Sequence, residues 1–544
     1  MIMRFVRGAW ISLSGGGLVI GALFFAASLT PSLIPRDPVL QGVLGGATFA
    51  AGYGVGVLLD WIWQYLELPR GGPNVRRRIV QAAGAAAVAI VAVFLWLAAG
   101  WQDSIRVAMG MEPVGTVHGF VVGAVAVAAV LILLVRGVTA FVRFAANRPA
   151  LIVQRRFVRF AGGLAGLVLL AAIANGILLR GAIHAADASF AALDALMEPD
   201  TPRPTDPMVT GSEASLIPWD DLGRRGREFV DETTDPDQIS ALTGRPAMRP
   251  IRVFAGLNAA ETPEERAELA LKELIRVGGF DRSALVVAAP TGTGWMDPAA
   301  MEPLEILHGG DVATVAVQYS YLTSWLSLLV QPGYGVESAR QSFEAVYHHW
   351  LTLPAETRPE LYLYGISLGT HSSEQSFNLL DIVGEPFDGA LWVGPPYSTP
   401  MWKRLTAERN PGSPEILPVI GDGSTVRFAS QYVAPSGSAP WGAMRIVYLQ
   451  HASDPIVRFD QLSWLRPPDW MNEPRAPDVS KEMSWFPVVT FLQLMLDSAI
   501  ALNVPMGFGH LYAPDDHIEP WIQVTQPEGW TPDAVAKLKA HFAR

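Results

Sequence analysis

Hydrophobic positions follow two regimes along the chain. Up to about residue 180 they gather in five long runs, near Trp10–Leu29, Leu40–Leu59, Ile79–Ala99, Thr116–Val135 and Phe160–Leu179, with few or no charges inside. A helix needs about 20 apolar residues to cross the hydrocarbon core of a bilayer, so this spacing predicts five membrane spans. Small residues recur within the runs, as in Gly42-Val-Leu-Gly-Gly-Ala47 and Gly162-Gly-Leu-Ala-Gly166. They let helices approach closely where no hydrophobic force drives association. The first run continues into Thr30–Arg36 without a cleavage pattern, so it is expected to stay as a span rather than leave as a signal peptide.

From Pro250 the runs shorten to strand length and alternate with helical periodicity. Ile251–Leu257, Ala284–Ala289, Val312–Val317, Leu361–Tyr364, Ala390–Val393 and Arg445–Leu449 read as strands. Thr262–Val277, Glu337–Leu351 and Leu368–Leu380 read as helices. Short strands without alternation, separated by helices, predict a mostly parallel sheet covered on both faces. Such a sheet binds ligands outside the carboxyl ends of its strands. The expected organisation is a transmembrane helical domain over 1–180, a linker and juxtamembrane segment over 181–250, and an α/β domain over 251–544. Within the linker, Ala182–Met197 reads as a short helix against the membrane. The Pro/Asp-rich stretch Pro199–Pro207 cannot continue it.

Composition sharpens the division. Half of the 544 residues are hydrophobic and 17% are charged, against about 25% charged in an ordinary soluble protein. Residues 1–181 carry 15 arginines, no lysine and 5 acids, while the remainder carries 25 basic and 46 acidic side chains. An acidic second part without basic clusters argues against nucleic acid as a partner. The arginine-only first part points to a bilayer. Its N-terminus and the loops after the second and fourth runs hold 12 arginines, and the other two loops hold only Arg36 and Arg106. That bias places the N-terminus in the cytoplasm, and five crossings then place everything after about Arg180 outside the cytoplasmic membrane. The chain has no cysteine, which excludes disulfides and thiol nucleophiles. Nothing in the pattern indicates a metal or cofactor, and the oligomeric state is left open.

The sharpest chemical signal is Gly365-Ile-Ser367-Leu-Gly369, directly after a strand and before a helix. A G-x-S-x-G in that context is a nucleophile elbow, a turn so tight that its flanks favour glycine. A serine hydroxyl is a weak nucleophile and needs a base, held in turn by an acid. In the matching fold the chain order is Ser, acid, His. Asp454 follows the strand Arg445–Leu449 and is the candidate acid. Asp388 precedes its strand, at the wrong end of the sheet, and Asp422 lies in a Gly-rich loop. His510, in Gly507-Phe-Gly-His510, is the candidate base, with His517 as the alternative and His541 in an exposed terminal helix. His371 and His451 are expected to line the site or pack locally. The oxyanion needs donors, and the backbone N–H of Leu368 is one. The second is expected from Gly292 and Thr293, in the glycine-rich loop Pro290–Asp297 after the second strand. That loop lacks the Lys-Ser/Thr of a phosphate loop.

Ser28-Leu-Thr-Pro-Ser-Leu-Ile-Pro-Arg36, Pro290-Thr-Gly-Thr-Gly-Trp295, Gly365-Ile-Ser-Leu-Gly369 and Gly507-Phe-Gly-His510 together make the chain resemble the bacterial membrane-bound α/β-hydrolases, over nearly its whole length. In that family a multi-span N-terminal domain precedes a serine-hydrolase domain. The resemblance implies an α/β-hydrolase fold with Ser367 as nucleophile and implies little about substrate.

The reading that follows is a membrane-anchored serine hydrolase of esterase or lipase type, cleaving acyl esters with Ser367, His510 and Asp454. Placement at a bilayer favours lipid substrates. The alternatives are a lipid transacylase, a non-catalytic hydrolase-like binding module, and, more remotely, a transport path through the spans. The insertion Pro395–Gly442 is where such folds carry a lid, and its Tyr397, Trp402, Tyr432 and Trp441 either line a pocket or pack the insertion. The apolar helix Trp485–Ala501 offers a sixth membrane contact, but it contains Asp497 and lies between the candidate acid and base, so it is expected to link them, buried in the α/β domain.

Overall fold

In a computed structural model, which describes residues 14–69, 72–115, 119–146, 194, 197, 201–322, 333–472 and 474–543, the strand-length runs after Pro250 lie side by side in one sheet. The strands are β1 (Ile251–Ala255), β2 (Ala284–Ala289), β3 (Val312–Val317), β4 (Glu360–Ile366), β5 (Gly389–Val393), β6 (Val426–Ala429) and β7 (Arg445–Leu449). Their order is β1-β3-β2-β4-β5-β7-β6 and every pair is parallel. Every residue of β2 and β3 is buried, as expected where helices cover both faces of a parallel sheet. β6 is additional to the six expected strands and comes from inside the insertion Pro395–Gly442.

The register decides what emerges at the carboxyl edge. Ile366 of β4 pairs with Val393 of β5, and Val393 pairs with Leu449 of β7. The ladder runs one step further, with Ser367 N–H donating to Val393 O at 2.9 Å and Gly394 N–H donating to Leu449 O at 2.9 Å. The elbow, the turn after β5 and the loop carrying Asp454 therefore leave the sheet next to one another.

The helices flanking the sheet start at identifiable caps. Thr262 and Glu265 form a reciprocal capping box at Pro263–Arg276, satisfying two orphan donors of the first turn. Asp297 caps Pro298–Leu307 through Ala299 N–H. The expected helix Leu368–Leu380 divides into Leu368–Ser373 and Leu379–Ile382. The physical reason lies at the break. Glu374 turns into the core to accept from Met401 N–H, Trp402 N–H and Tyr448 Oη, and Asn378 caps the second piece.

Residues 201–250 correct the expectation of a linker. They form the helices Gly223–Asp231 and Pro236–Thr243, and they bury Ile217, Trp219, Leu222, Phe229 and Ile239 in the same core as the sheet. A buried ion pair fixes them. Arg252 on β1 meets Glu305 at 2.7 Å and donates to Phe229 O, while Glu305 accepts from the N–H and hydroxyl of Thr234.

The chain divides into two compact units, Gly181–Val457 with Met506–Arg544, and Met1–Arg180 with Arg458–Pro505. In the second, the described helices are α1 (Gly15–Ser28), α2 (Pro38–Tyr65), α3 (Pro73–Ala108) and α4 (Phe120–Ala146). Among the described residues, three stretches, Pro38–Tyr65, Arg77–Ala108 and Phe120–Gly137, are long and apolar enough to cross a membrane. The described part of the first expected span is the 14-residue α1, and the fifth expected span, near Phe160–Leu179, lies outside the described residues. Glycines set the packing of α2. A Cβ on Gly56 would fall 2.6 Å from Gly17 Cα of α1, and one on Gly46 would fall 2.7 Å from Ala124 O of α4. The sequence run after Val457 also belongs to this unit. Its apolar helix, Val489–Ala499, is not buried in the α/β core as expected. Asp497 on it accepts from Ser32 Oγ at 3.0 Å and Leu33 N–H at 2.8 Å, and Gln493 donates to Thr30 O at 3.1 Å.

Candidate active site

At the end of β4 the backbone of Ser367 takes φ 54° and ψ −122°. A non-glycine residue there is strained by about 1–3 kcal/mol, so the surroundings must impose it. They do so through contact. A Cβ on Gly365 would lie 2.5 Å from the Gly369 carbonyl, and one on Gly369 would lie 2.2 Å from Ala289 O. The two glycines of the motif are thus required by the closeness of the turn to itself and to β2. Thr370 clamps the same turn, its hydroxyl donating toward Gly365 O at 2.7 Å and accepting from Val393 N–H at 3.0 Å.

The candidate acid and base meet. His510 Nδ1 lies 2.6 Å from Asp454 Oδ2, and Tyr512 Oη donates to the same oxygen at 2.8 Å. Oδ1 of Asp454 accepts from Ile456 N–H at 2.8 Å. Burial of Asp454 alone would raise its pKa. The facing His510 charge, the hydrogen bonds from His510 and Tyr512, and the nearby His451 outweigh burial and hold it below the ordinary carboxylate range. An ionised Asp454 keeps the proton of His510 on Nδ1 and leaves Nε2 as the acceptor. That Nε2 is buried and makes no hydrogen bond. The ring stands at the end of β5, because a Cβ on Gly394 would come 2.8 Å from its Cε1. Gly394 directly follows Val393, whose carbonyl holds Ser367 N–H.

Leu368 opens the helix after Ser367, so its N–H belongs to the first turn, where backbone donors have no partner inside the helix. Across from it, Thr291 O accepts from Gly294 N–H at 2.9 Å, and Thr291 N–H donates to Trp295 O at 3.1 Å. Gly292 and Thr293 are the two central residues of that turn. It is fixed by φ 84° at Gly294 and by Gln318 Nε2 donating to Thr293 O. The loop begins at Pro290, whose carbonyl a Cβ on Gly369 would approach to 3.2 Å.

The other histidines have different surroundings. His517 is fully buried, donates from Nδ1 to Ala513 O at 2.9 Å, and has its pKa pushed down to about 4 by burial. Its Nε2 faces Asp297 Oδ2 at 3.9 Å. His451 stacks on Tyr512 at 4.0 Å between ring centres and lies 3.2 Å from Asp516. Asp388 accepts from Leu361 N–H at the opposite edge of the sheet. In the insertion, Trp402 is buried with its Nε1 donating to Gln450, and Trp441 lies under the Arg427 guanidinium, so both pack the insertion.

The family model described as "Alpha/beta-hydrolase family" matches residues 251–538, more than half of the chain. The chain belongs to this alpha/beta-hydrolase family. A second model, described as that family's N-terminus, matches residues 29–233. No curated protein and no solved structure matches the chain. Membership points to hydrolase activity, and the seven-stranded parallel sheet fits the family's fold.

Three residues of the candidate site, Tyr512, Asp516 and Asp297, were missed from sequence, while His451 lines it as expected. Tyr512 orients the acid, and its signal was two residues from His510. Asp516 and His451 form a second buried acid–imidazole pair behind Tyr512. Asp297 ends the oxyanion-side loop, and burial pushes its carboxyl up to about 7 against the helix N-terminus it caps and the charge of His510. An Asp immediately before Pro is a readable cap, but its burial was not.

Proposed function

We propose that the protein is a serine hydrolase of esterase or lipase type, anchored in the cytoplasmic membrane with its α/β unit on the extracytoplasmic side. The observation that carries the reading is the 2.6 Å Asp454–His510 contact, in a ring set against Gly394 at the end of β5 whose opposite nitrogen makes no hydrogen bond. In this reading Ser367 Oγ attacks an acyl carbonyl while His510 Nε2 takes its proton. Asp454 stabilises the imidazolium. Leu368 N–H and the 292–293 turn receive the oxyanion, each donor contributing roughly 3–4 kcal/mol to the transition state. The ester C–O bond then breaks, the proton passes from His510 to the departing alcohol, and water cleaves the Ser367 acyl ester by the reverse sequence. The arginine asymmetry of the loops supports the orientation, and the three membrane-length helices favour lipids or lipid-linked acyl esters as substrates.

The test is covalent labelling of the full-length protein with a fluorophosphonate. Wild type is expected to label at Ser367, and Ser367→Ala to remain unlabelled while still folded. A folded wild type that does not label would favour a non-catalytic binding module instead.

A further inference from the structure

The helix Val489–Ala499 is inside out. Its polar side chains Thr490, Gln493 and Asp497 recur at i, i+3 and i+7, and all three are buried. Asp497 and Gln493 bind the α1–α2 connection at Ser32, Leu33 and Thr30, and Thr490 Oγ1 accepts from Phe486 N–H at 2.8 Å. The opposite stripe holds Phe491, Leu492, Met495 and Ala499. None of these is buried, and Met495 is 49% exposed. A helix at a water surface shows the reverse order, with its polar residues outward and its apolar stripe on the core.

The neighbouring chain extends the apolar surface. The turn Leu462–Leu465 exposes Leu462, Trp464 and Leu465, the last at 61%. Trp464 O accepts from Val488 N–H at 2.9 Å, and Ser463 O accepts from Trp485 Nε1 at 2.7 Å, so this turn lies against the start of the helix. Asp497 is the only charged side chain from Ser484 to Pro505. It is buried, so the exposed part of that stretch carries no charge.

Level and length indicate what covers this face. The α1–α2 connection lies at the end of the helices opposite the arginine-rich loop after α2. Ser480, on the same segment, has its Oγ 2.7 Å from Ser104 Oγ in α3. Ser104 is five positions beyond Ala99, where the apolar run of α3 stops, a rise of about 8 Å. The segment therefore stands at the edge of the apolar band, the depth at which interfacial helices lie. The helix has 11 residues and is about 16 Å long, half of a hydrocarbon core of about 30 Å. It can lie in one leaflet and cannot span two. We propose that the face formed by Phe491, Leu492, Met495 and Ala499, with the Leu462–Leu465 turn, is seated in the outer leaflet against the glycerol and upper acyl carbons of membrane lipids. This rests on the membrane anchoring proposed above and adds a lipid contact outside the spans, on the stretch of sequence between Asp454 and His510.

The chain has no cysteine, so one introduced cysteine carries one label. Met495→Cys reports on the face, with Ala499→Cys as a second reporter should the first disturb folding. Val93→Cys reports on the middle of α3. Lys272→Cys, 63% exposed on a helix of the α/β unit, reports on water. Each full-length variant is labelled with bimane in vesicles of phosphatidylethanolamine and phosphatidylglycerol. It is then quenched by a phospholipid spin-labelled high on its acyl chain, or by aqueous iodide. At the interfacial depth, the lipid spin label should dim the Met495 and Ala499 reporters roughly 2-fold or more, and iodide should quench them on the order of 5-fold less than the Lys272 reporter. Lipid quenching at Val93 but not at the face would overturn this proposal and leave the anchoring intact. Lipid quenching at neither would overturn both. A face reporter shielded from lipid and iodide alike would mean a protein surface there, a second copy of the chain included, and would also overturn it.

Discussion

The strained turn at Ser367 can be weighed by two substitutions that differ only in Cβ. Ser367 is the N-cap of Leu368–Ser373, yet its side chain makes no capping hydrogen bond. Removing the hydroxyl therefore costs the helix no cap. Alanine keeps the Cβ and with it the strain of φ 54°, about 1–3 kcal/mol. Glycine removes that strain, against its usual entropic cost of roughly 0.5–1 kcal/mol relative to alanine. The difference is about 1 kcal/mol in favour of Ser367→Gly, the reverse of the order at an ordinary position. For a domain of this size, that corresponds to a shift of roughly 2–4 °C in the midpoint. The assay is thermal unfolding of both full-length variants in the same detergent, with the α/β transition identified by amide hydrogen exchange in β4. Both variants should be inactive. If Ser367→Ala is as stable as Ser367→Gly or more so, the turn is not strained and the elbow argument fails.

Asp454→Asn should preserve the fold and lower kcat on the order of 10⁴-fold, because an amide no longer fixes the Nδ1–H form of His510. Steady-state kinetics on a short-chain ester would show it, and a loss under 10-fold would remove Asp454 from the mechanism. Asp297, raised from 3.8 to about 7, binds a proton in the folded chain that the unfolded chain has released between those values. It therefore lowers stability progressively as pH rises from about 4 to 7. Asp297→Asn, which can still cap its helix, should gain stability over wild type at pH 8 and little at pH 4. Unfolding midpoints at the two pH values decide, and an equal difference at both would contradict the buried, protonated carboxyl. Asp497→Ala would strand the Ser32 hydroxyl, Leu33 N–H and a buried Arg36, at a cost of about 3–5 kcal/mol. Hydrogen exchange at residues 29–36 should accelerate accordingly, and unchanged protection there would show that the carboxylate does not hold this loop.

What could be read from sequence was what local chemistry specifies. The elbow was legible because Gly365 is demanded by a contact with Gly369 only four positions on, although Gly369 itself answers to Ala289 on β2. The strands β2, β3 and β5 were legible because continuous apolar runs have few other uses, and β1, β4 and β7 because β-branched, aromatic and other apolar residues dominate them. β6 was not, since Val426-Arg-Phe-Ala429 carries a charge in a Pro/Gly-rich stretch. Its Arg427 is accommodated by Gly423 O, Ala439 O and the Trp441 ring, partners that no local pattern announces. Residues 201–250 looked like a linker because their anchors, Ile217, Trp219, Phe229 and Ile239, are scattered without a period. Asp297 was visible as a cap, but its burial depends on His517 and Tyr364, far along the chain.

The largest departure from the sequence reading concerns the stretch between acid and base. Asp454 and His510 are 56 positions apart and in contact, so the chain leaving the α/β unit after Val457 must return to the same place at Met506. An insertion with closed ends can fold independently of its host, because closing a long loop costs little more than closing a short one. This one folds with the helices instead. Its buried Asp497 is satisfied by backbone and hydroxyl groups more than 460 positions earlier. A carboxylate on an apolar helix reads, in isolation, as a reason to keep that helix out of an apolar helical unit. Here it is the reason the helix belongs there, since it answers the free N–H groups of Leu33 and Ile34 and the charge of Arg36. The chain therefore passes between the two units three times, once at the start of the α/β unit and out and back between Asp454 and His510.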